Sequence, residues 1–184
     1  SRDAARYDKL LELFADVNCN MIRCWGGNVY EDHAFFDFCD RNGIMVWQDF
    51  AMACACYPQE ESYFEKIRIE AEAVVKKLRN HPCLAVWCGD NECDVFYSFN
   101  GMKPSHNKVT REVLSKIVFE CDPYRPYLPS SPYIPPELEE QGDFYFMPLP
   151  EQHLWGPRDY YKSPFYTEHI AHFVGEIGYH GCPN

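Results

Sequence analysis

At 184 residues the chain is one domain's worth of polypeptide, long enough to bury a real core. Its 17 Lys and Arg against 28 Asp and Glu leave a formal charge of −11, which argues against a nucleic-acid partner, since phosphate backbones call for clustered Lys and Arg. No apolar run reaches the roughly 18 residues of a membrane-spanning helix, so no membrane partner is expected either.

Tyr7, Leu10, Leu11 and Phe14 recur at helical spacing and predict a helix over 6–17. A short apolar strand over 20–25 follows and runs into Gly26-Gly27. Phe35, Phe38 and Cys39 place a second helix over 32–41, with Asn42-Gly43 as its stop signal. The β-branched and aromatic segment 44–47 is the next strand, leading into Gln48-Asp49. Ser62-Tyr-Phe-Glu65 reads as a capping box that opens a long helix carrying Phe64, Ile67, Ala71, Val74, Val75 and Leu78, and Pro82 ends it. The apolar run 84–88 is a third strand, and a further helix is expected over 105–119. Strict alternation of short strands with helices predicts a parallel sheet covered by helices, an α/β fold.

The second half is different in character. Ten of the 14 prolines lie between Pro123 and Pro164, so strands there must be short. Candidates are 127–130, then 144–147 or 152–155, and finally 172–177. No repeat, low-complexity tract or linker divides the chain, which is expected to be a single domain.

Each clear strand ends on polar or glycine residues: Trp25-Gly26-Gly27, Gln48-Asp49, Asp90-Asn91-Glu92 and Glu176. In a parallel sheet these carboxyl ends share one face, and in a closed barrel they ring one pocket. Glu92 and Glu176 are therefore candidates for a carboxylate pair, one to protonate a leaving oxygen and one to attack or activate water. Ordinary solvated strand-end glutamates are the competing reading. Arg23 alternates with Ile22 and Cys24 and points away from them. Buried there, it needs an acidic partner, with Glu92, Glu176 and Asp49 available. Asn91 is read as a hydrogen-bond partner for a sugar hydroxyl. Trp25 and Trp155 follow strands and could offer an indole face to a sugar, whereas Trp47 and Trp87 sit inside apolar runs as core residues. His153 is a pocket-lining candidate, with a satisfied structural histidine as the competing reading. His33, His81, His106, His169, His172 and His180 lack ligand spacing and read as surface or loop groups.

Ten cysteines raise the question of zinc or disulfides. Cys19, Cys24, Cys39, Cys83 and Cys88 fall inside apolar patterns and read as reduced core thiols, and Cys54-Ala55-Cys56 is too tight for a paired zinc motif. No metal is expected. No GxSxG elbow, P-loop or GxGxxG is present, which removes serine hydrolase, nucleotidase and Rossmann readings.

Five ordered blocks carry a family resemblance: Met21-Ile-Arg-Cys-Trp-Gly-Gly27, Phe38-Cys-Asp-Arg-Asn-Gly-Ile-Met-Val-Trp-Gln-Asp-Phe50, Arg79-Asn-His-Pro82, Trp87-Cys-Gly-Asp-Asn-Glu92 and Phe173-Val-Gly-Glu-Ile-Gly178. Together they resemble the catalytic domain of glycoside hydrolase family 2, most closely the β-mannosidase branch. The resemblance implies a TIM barrel and a retaining β-glycosidase without cofactor, acting on a carbohydrate substrate. It assigns Glu92 as acid/base, Glu176 as nucleophile and Asn91 as the contact to the sugar 2-hydroxyl, with Arg23, Trp25, Asp49, His153 and Trp155 lining the pocket. Glu92 would then need a raised pKa, in part from the charge of Glu176.

Two residues depart from the family pattern: Asp90 stands where asparagine is usual, and Gly175 where serine is usual. The sugar is correspondingly open, with β-glucosaminide, β-galactoside and β-glucuronide as alternatives, along with a non-catalytic carbohydrate-binding relative. If 84–88 is the fourth barrel strand, the chain carries about strands 2 to 7. Strands 1 and 8 and the family's flanking β-domains would then lie outside it. Such a fragment is expected to be weakly active or inactive alone and to self-associate through its open edges.

Overall fold

The computed structural model describes residues 4–140, 149–156, 163–168 and 171–178. Helix α1 (Ala4–Asp16), strand β1 (Met21–Cys24), helix α2 (His33–Asn42), strand β2 (Met45–Asp49), helix α3 (Glu61–Leu78) and strand β3 (Leu84–Cys88) follow in the alternating order that the sequence predicts. Strand β4 (Tyr127–Leu128) completes a four-stranded, all-parallel sheet in the order β1-β2-β3-β4. A second parallel pair joins β5 (Gln152–Trp155) to β6 (Val174–Gly178). The fold is α/β with parallel strands throughout. The candidate strand 144–147 lies outside the described residues.

The hydrophobic pattern explains the layering. Phe35, Phe36 and Cys39 of α2 and Ala71, Val74, Val75 and Leu78 of α3 are buried against Val46, Leu84 and Trp87 of the sheet. Each large side chain withdrawn from water contributes about 1.5–3 kcal/mol. Gly43 closes α2 with φ of 67°, a left-handed conformation open to glycine, and its N–H bonds back to the Cys39 carbonyl.

Several expected details change. Ser62 lies inside α3, Glu60 is its N-cap, and no side chain caps the helix, so the capping box does not form. The helix also stops at Leu78, short of Pro82. A short helix, α4 (Cys93–Phe99), follows β3 directly. The single helix expected over 105–119 is instead a 3₁₀ turn, Pro104–His106, then a π-helical segment, Val109–Leu114, running into α5 (Ser115–Cys121). A last short helix, α6, spans Pro164–Thr167. His81, expected at the surface, is buried. Its ring lies between His33 Nδ1 (2.8 Å from Nε2) and Asp40 Oδ2 (2.7 Å from Nδ1), where it ties the turn after α3 to α2.

Beyond the carboxyl ends of β2, β3 and β4 the chains stay side by side. Ala53 bridges Asn91, and Asn91 bridges Ser131. This extension delivers polar residues from three successive loops to one end of the sheet.

Candidate active site

The second sheet packs over that same end through side chains. Phe173 stacks on Trp47 at 5.7 Å between ring centroids, and Arg23 spans the gap between the sheets. Arg23 sits mid-strand with Ile22 and Cys24 turned to the core, so its own side chain faces the opposite way, over the Trp47 ring. Its guanidinium donates to Asp49 Oδ2 (2.8 Å), Asn91 Oδ1 (2.8 Å) and Glu176 Oε1 (2.9 Å). Asp49 is fully buried and also accepts the Trp47 indole N–H (2.8 Å) and the Gly26 amide (2.9 Å). Burial pushes its carboxyl up, and the Arg23 charge and these donors pull against that rise.

Glu92 occupies the turn between β3 and α4 in a left-handed conformation (φ 58°), which is uncommon for a side-chain-bearing residue and is held by its surroundings. It is the N-cap of α4 but makes no cap bond. Asp90 caps the helix in its place. Asp90 Oδ1 accepts the Cys93 amide (3.0 Å) and the Ser130 hydroxyl (2.5 Å), which leaves the Glu92 carboxylate free to face the cleft. Asp90 is fully buried, and burial, together with the nearby Asp94 charge, pushes its carboxyl up to about 8.

An open cleft of about 630 Å³ is lined by Arg23, Trp25, Cys54, Asn91, Glu92, Trp155, Gly175 and Glu176. Glu92 and Glu176 meet across it: a carboxylate oxygen of each and a ring nitrogen of His153 all lie within 4.8 Å of one another. Trp155 donates its indole N–H to Glu176 Oε2 (2.9 Å), and both Trp25 and Trp155 are more than 40% exposed. Asn91 is 1% exposed but borders the cleft.

Asp49 and His153 are not among the lining side chains. His153 is 3% exposed and is ringed by acids, with Nδ1 at 2.9 Å from Glu92 Oε1 and 3.6 Å from Glu176 Oε2. Its Nε2 lies 2.9 Å from the Ser131 hydroxyl and 3.2 Å from Glu151 Oε1. Burial opposes a charge on this ring, but the nearby carboxylates of Glu151 and Glu92 outweigh it and push its pKa up to about 9. The raised pKa expected for Glu92 is not found. Burial does push it up, yet the His153 bond and charge, the Cys54 thiol 3.4 Å away and Arg23 together hold the carboxyl below its usual range.

Cys54, Ser131 and Glu151 join the site without having been singled out in the sequence. Glu151 had one legible signal, since it precedes His153 by two residues across a strand start and so shares its face. Among the described residues two clusters have cation-like donor spacing, namely Asp37, Asp40 and His81, and Glu92, His153 and Glu176. In the first, His81 is hydrogen-bonded to His33 and Asp40, and in the second the positive charge comes from Arg23 and the imidazole.

No family model matches the chain. It is 34% identical over 190 residues to the β-mannosidase of Capra hircus, an alignment covering 95% of this chain and 21% of that protein. To β-mannosidase B of Thermothelomyces thermophilus it is 37% identical over 143 residues, covering 70% of this chain and 17% of the relative. The crystal structure of the β-D-mannosidase from Dictyoglomus thermophilum superposes with a TM-score of 0.82 at 34% identity, over 96% of this chain and 22% of that one. The chain thus spans about one fifth of the length of the relatives it matches.

Proposed function

We propose that this chain, which belongs with the β-mannosidases of glycoside hydrolase family 2, forms the catalytic centre of a retaining β-glycosidase whose preferred substrate is a β-mannoside. The observation that carries the reading is the approach of Glu92 and Glu176 to within 4.8 Å, oxygen to oxygen, across one cleft. Retaining glycosidases place their two carboxyl groups about 5–5.5 Å apart, whereas inverting ones leave about 6.5–9.5 Å for a water.

In this reading Glu176 attacks the anomeric carbon while the glycosidic C–O bond breaks. Arg23 and Trp155 hold one oxygen each and so aim the carboxylate. Glu92 delivers a proton to the departing oxygen and later withdraws one from the water that releases the sugar. Because Glu92 is held ionised in the resting site, its proton is drawn from His153, whose Nδ1 lies 2.9 Å away. Trp25 and Trp155 offer exposed indole faces to the sugar, and Asn91 borders it. The six parallel strands are read as consecutive strands, about 2 to 7, of an eight-stranded barrel, with the chain acting as the catalytic segment of a longer enzyme.

A panel of aryl β-glycosides assayed on the full-length enzyme tests the reading. Highest kcat/KM on the β-mannoside is expected, with retained anomeric configuration by NMR. Glu176→Gln should lower turnover by about 10⁴-fold or more, as loss of a group acting in a catalytic unit does. Hydrolysis that survives this substitution removes Glu176 as nucleophile.

A further inference from the structure

Glu151, like Asp49, is an acid of this site that does not line the cleft, and its setting is unusual. The residue is 3% exposed; Oε2 accepts the Ser131 hydroxyl (3.0 Å), while Oε1 has no hydrogen-bond donor and lies 3.2 Å from His153 Nε2. A buried carboxylate oxygen without a donor is unfavourable unless a charge offsets it. The surrounding geometry supplies that charge. Since the Ser131 hydroxyl proton goes to Glu151, Ser131 can only accept from His153 Nε2, and with Nδ1 facing Glu92 both ring nitrogens act as donors. The ring is then an imidazolium set among Glu92, Glu151 and Glu176, with Arg23 Nη1 at 3.4 Å from Nε2 as the neighbouring cation.

Gly175, immediately before Glu176, explains how the acid fits. A Cβ built at Gly175 would stand 1.9 Å from Glu151 Oε1 and 2.8 Å from its carboxyl carbon. Any side chain at 175 must displace the Glu151 carboxylate from His153.

We propose that Glu151 is a positioning residue which, through Ser131 and His153, fixes the Glu92 carboxylate, and that Gly175 is glycine because the Glu151 carboxylate occupies the space a side chain there would need. The inference rests on the glycosidase reading above and adds to it a size-coupled pair, Glu151 just before β5 and Gly175 on β6, that sets where the acid/base proton is kept.

The test uses Gly175→Ser, Glu151→Asp and their combination in the full-length enzyme. Gly175→Ser should lower kcat by about 10²-fold, the scale of a roughly 1 Å misplacement. The alkaline limb of the kcat/KM profile should move to lower pH, since His153 loses an anionic neighbour and gives up its proton earlier. Adding Glu151→Asp, one methylene shorter, should restore most of the loss. A second readout needs no activity: the ¹⁵N-labelled His153 ring should titrate above the ordinary histidine value in the parent and drop in Gly175→Ser. If that variant does not fold, Glu151→Gln, which keeps the shape and removes the charge, should produce the same drop. An unchanged His153 titration in these variants, or a Gly175→Ser defect that Glu151→Asp leaves untouched, overturns the proposal. An enzyme that cleaves no aryl β-glycoside defeats the glycosidase reading instead, and the titration still decides the Glu151–Gly175 pairing.

Discussion

His153 Nδ1 lies 2.9 Å from Glu92 Oε1, joining a buried ring on β5 to a cleft-facing carboxylate at the start of α4. This contact turns the expected electrostatics of the site around. The carboxyl beside the cleft is the more acidic partner, and the proton rests on the ring behind it.

In the proposed enzyme that arrangement should separate substrates by leaving group. Glu92→Ala should lower kcat/KM by about 10²–10⁴-fold on mannosides with poor, alkoxide-like leaving groups, the usual scale of general acid catalysis. A dinitrophenyl glycoside, whose leaving group needs no proton, should still show rapid release in the first turnover. Equal loss on both substrates would remove Glu92 from the acid role.

Arg23 is first of all an anchor between the two sheets. Its removal strands Asp49, which is 1% exposed. Arg23→Ala should destabilise the fold by about 3–5 kcal/mol, the range for leaving one member of a buried pair uncompensated, as read from urea unfolding. A stability change under about 1 kcal/mol would mean that the Trp47 and Gly26 donors suffice for Asp49.

The His153–Glu92 contact also makes stability depend on pH with a definite sign. His153 has a folded pKa of about 9 against an ordinary 6.5, so its contribution is fully present below about 6.5 and is lost as pH rises through about 9. Glu92 has a lowered folded pKa, so its contribution is present above its ordinary 4.5 and is lost as pH falls through the folded value. The melting temperature of the parent relative to His153→Gln should be highest between about 4.5 and 6.5 and should shrink towards pH 9. A difference that grows over pH 6.5–9 contradicts the ion pairing.

Asp90 carries the opposite lesson, because its raised value reflects burial without a cation. The folded group keeps its proton up to about 8 while the unfolded one ionises near 3.8, so it draws stability down as pH climbs between these values. Asp90→Asn keeps an oxygen for the Cys93 amide and the Ser130 hydroxyl and removes that slope. It should match the parent at about pH 4 and exceed it by a few kcal/mol at about pH 8, on the order of the shift converted at 1.36 kcal/mol per unit. Identical pH–stability curves for the two would show that Asp90 is ionised in the fold.

The strands β1 to β3 and the helices α1 to α3 were legible in the chain because their apolar residues recur with the right period and end at Gly, Asn or Pro. The strand ends at Asp49, Asn91 and Glu92 were legible for the same reason, as polar groups placed where an apolar run stops, whereas Glu176, expected at a strand end, lies in the middle of β6. The helix Cys93–Phe99 was not, because only the short turn 89–92 separates it from β3, and its cap comes from Asp90 rather than from the Glu92 that precedes it. Nor was the broken helix after residue 104, where a π-helical segment carries Arg111 to a bidentate pair with Asp94.

By itself the sequence determined that Glu92, Glu176, Arg23 and two indoles would gather at one site, and it left Glu151 out. Only the tertiary structure decided their charge states and divided cleft from support. Those depend on neighbours brought from distant segments, Glu151 just before β5 and His153 on it against Glu92 after β3, and on the burial that makes each of their short contacts strong.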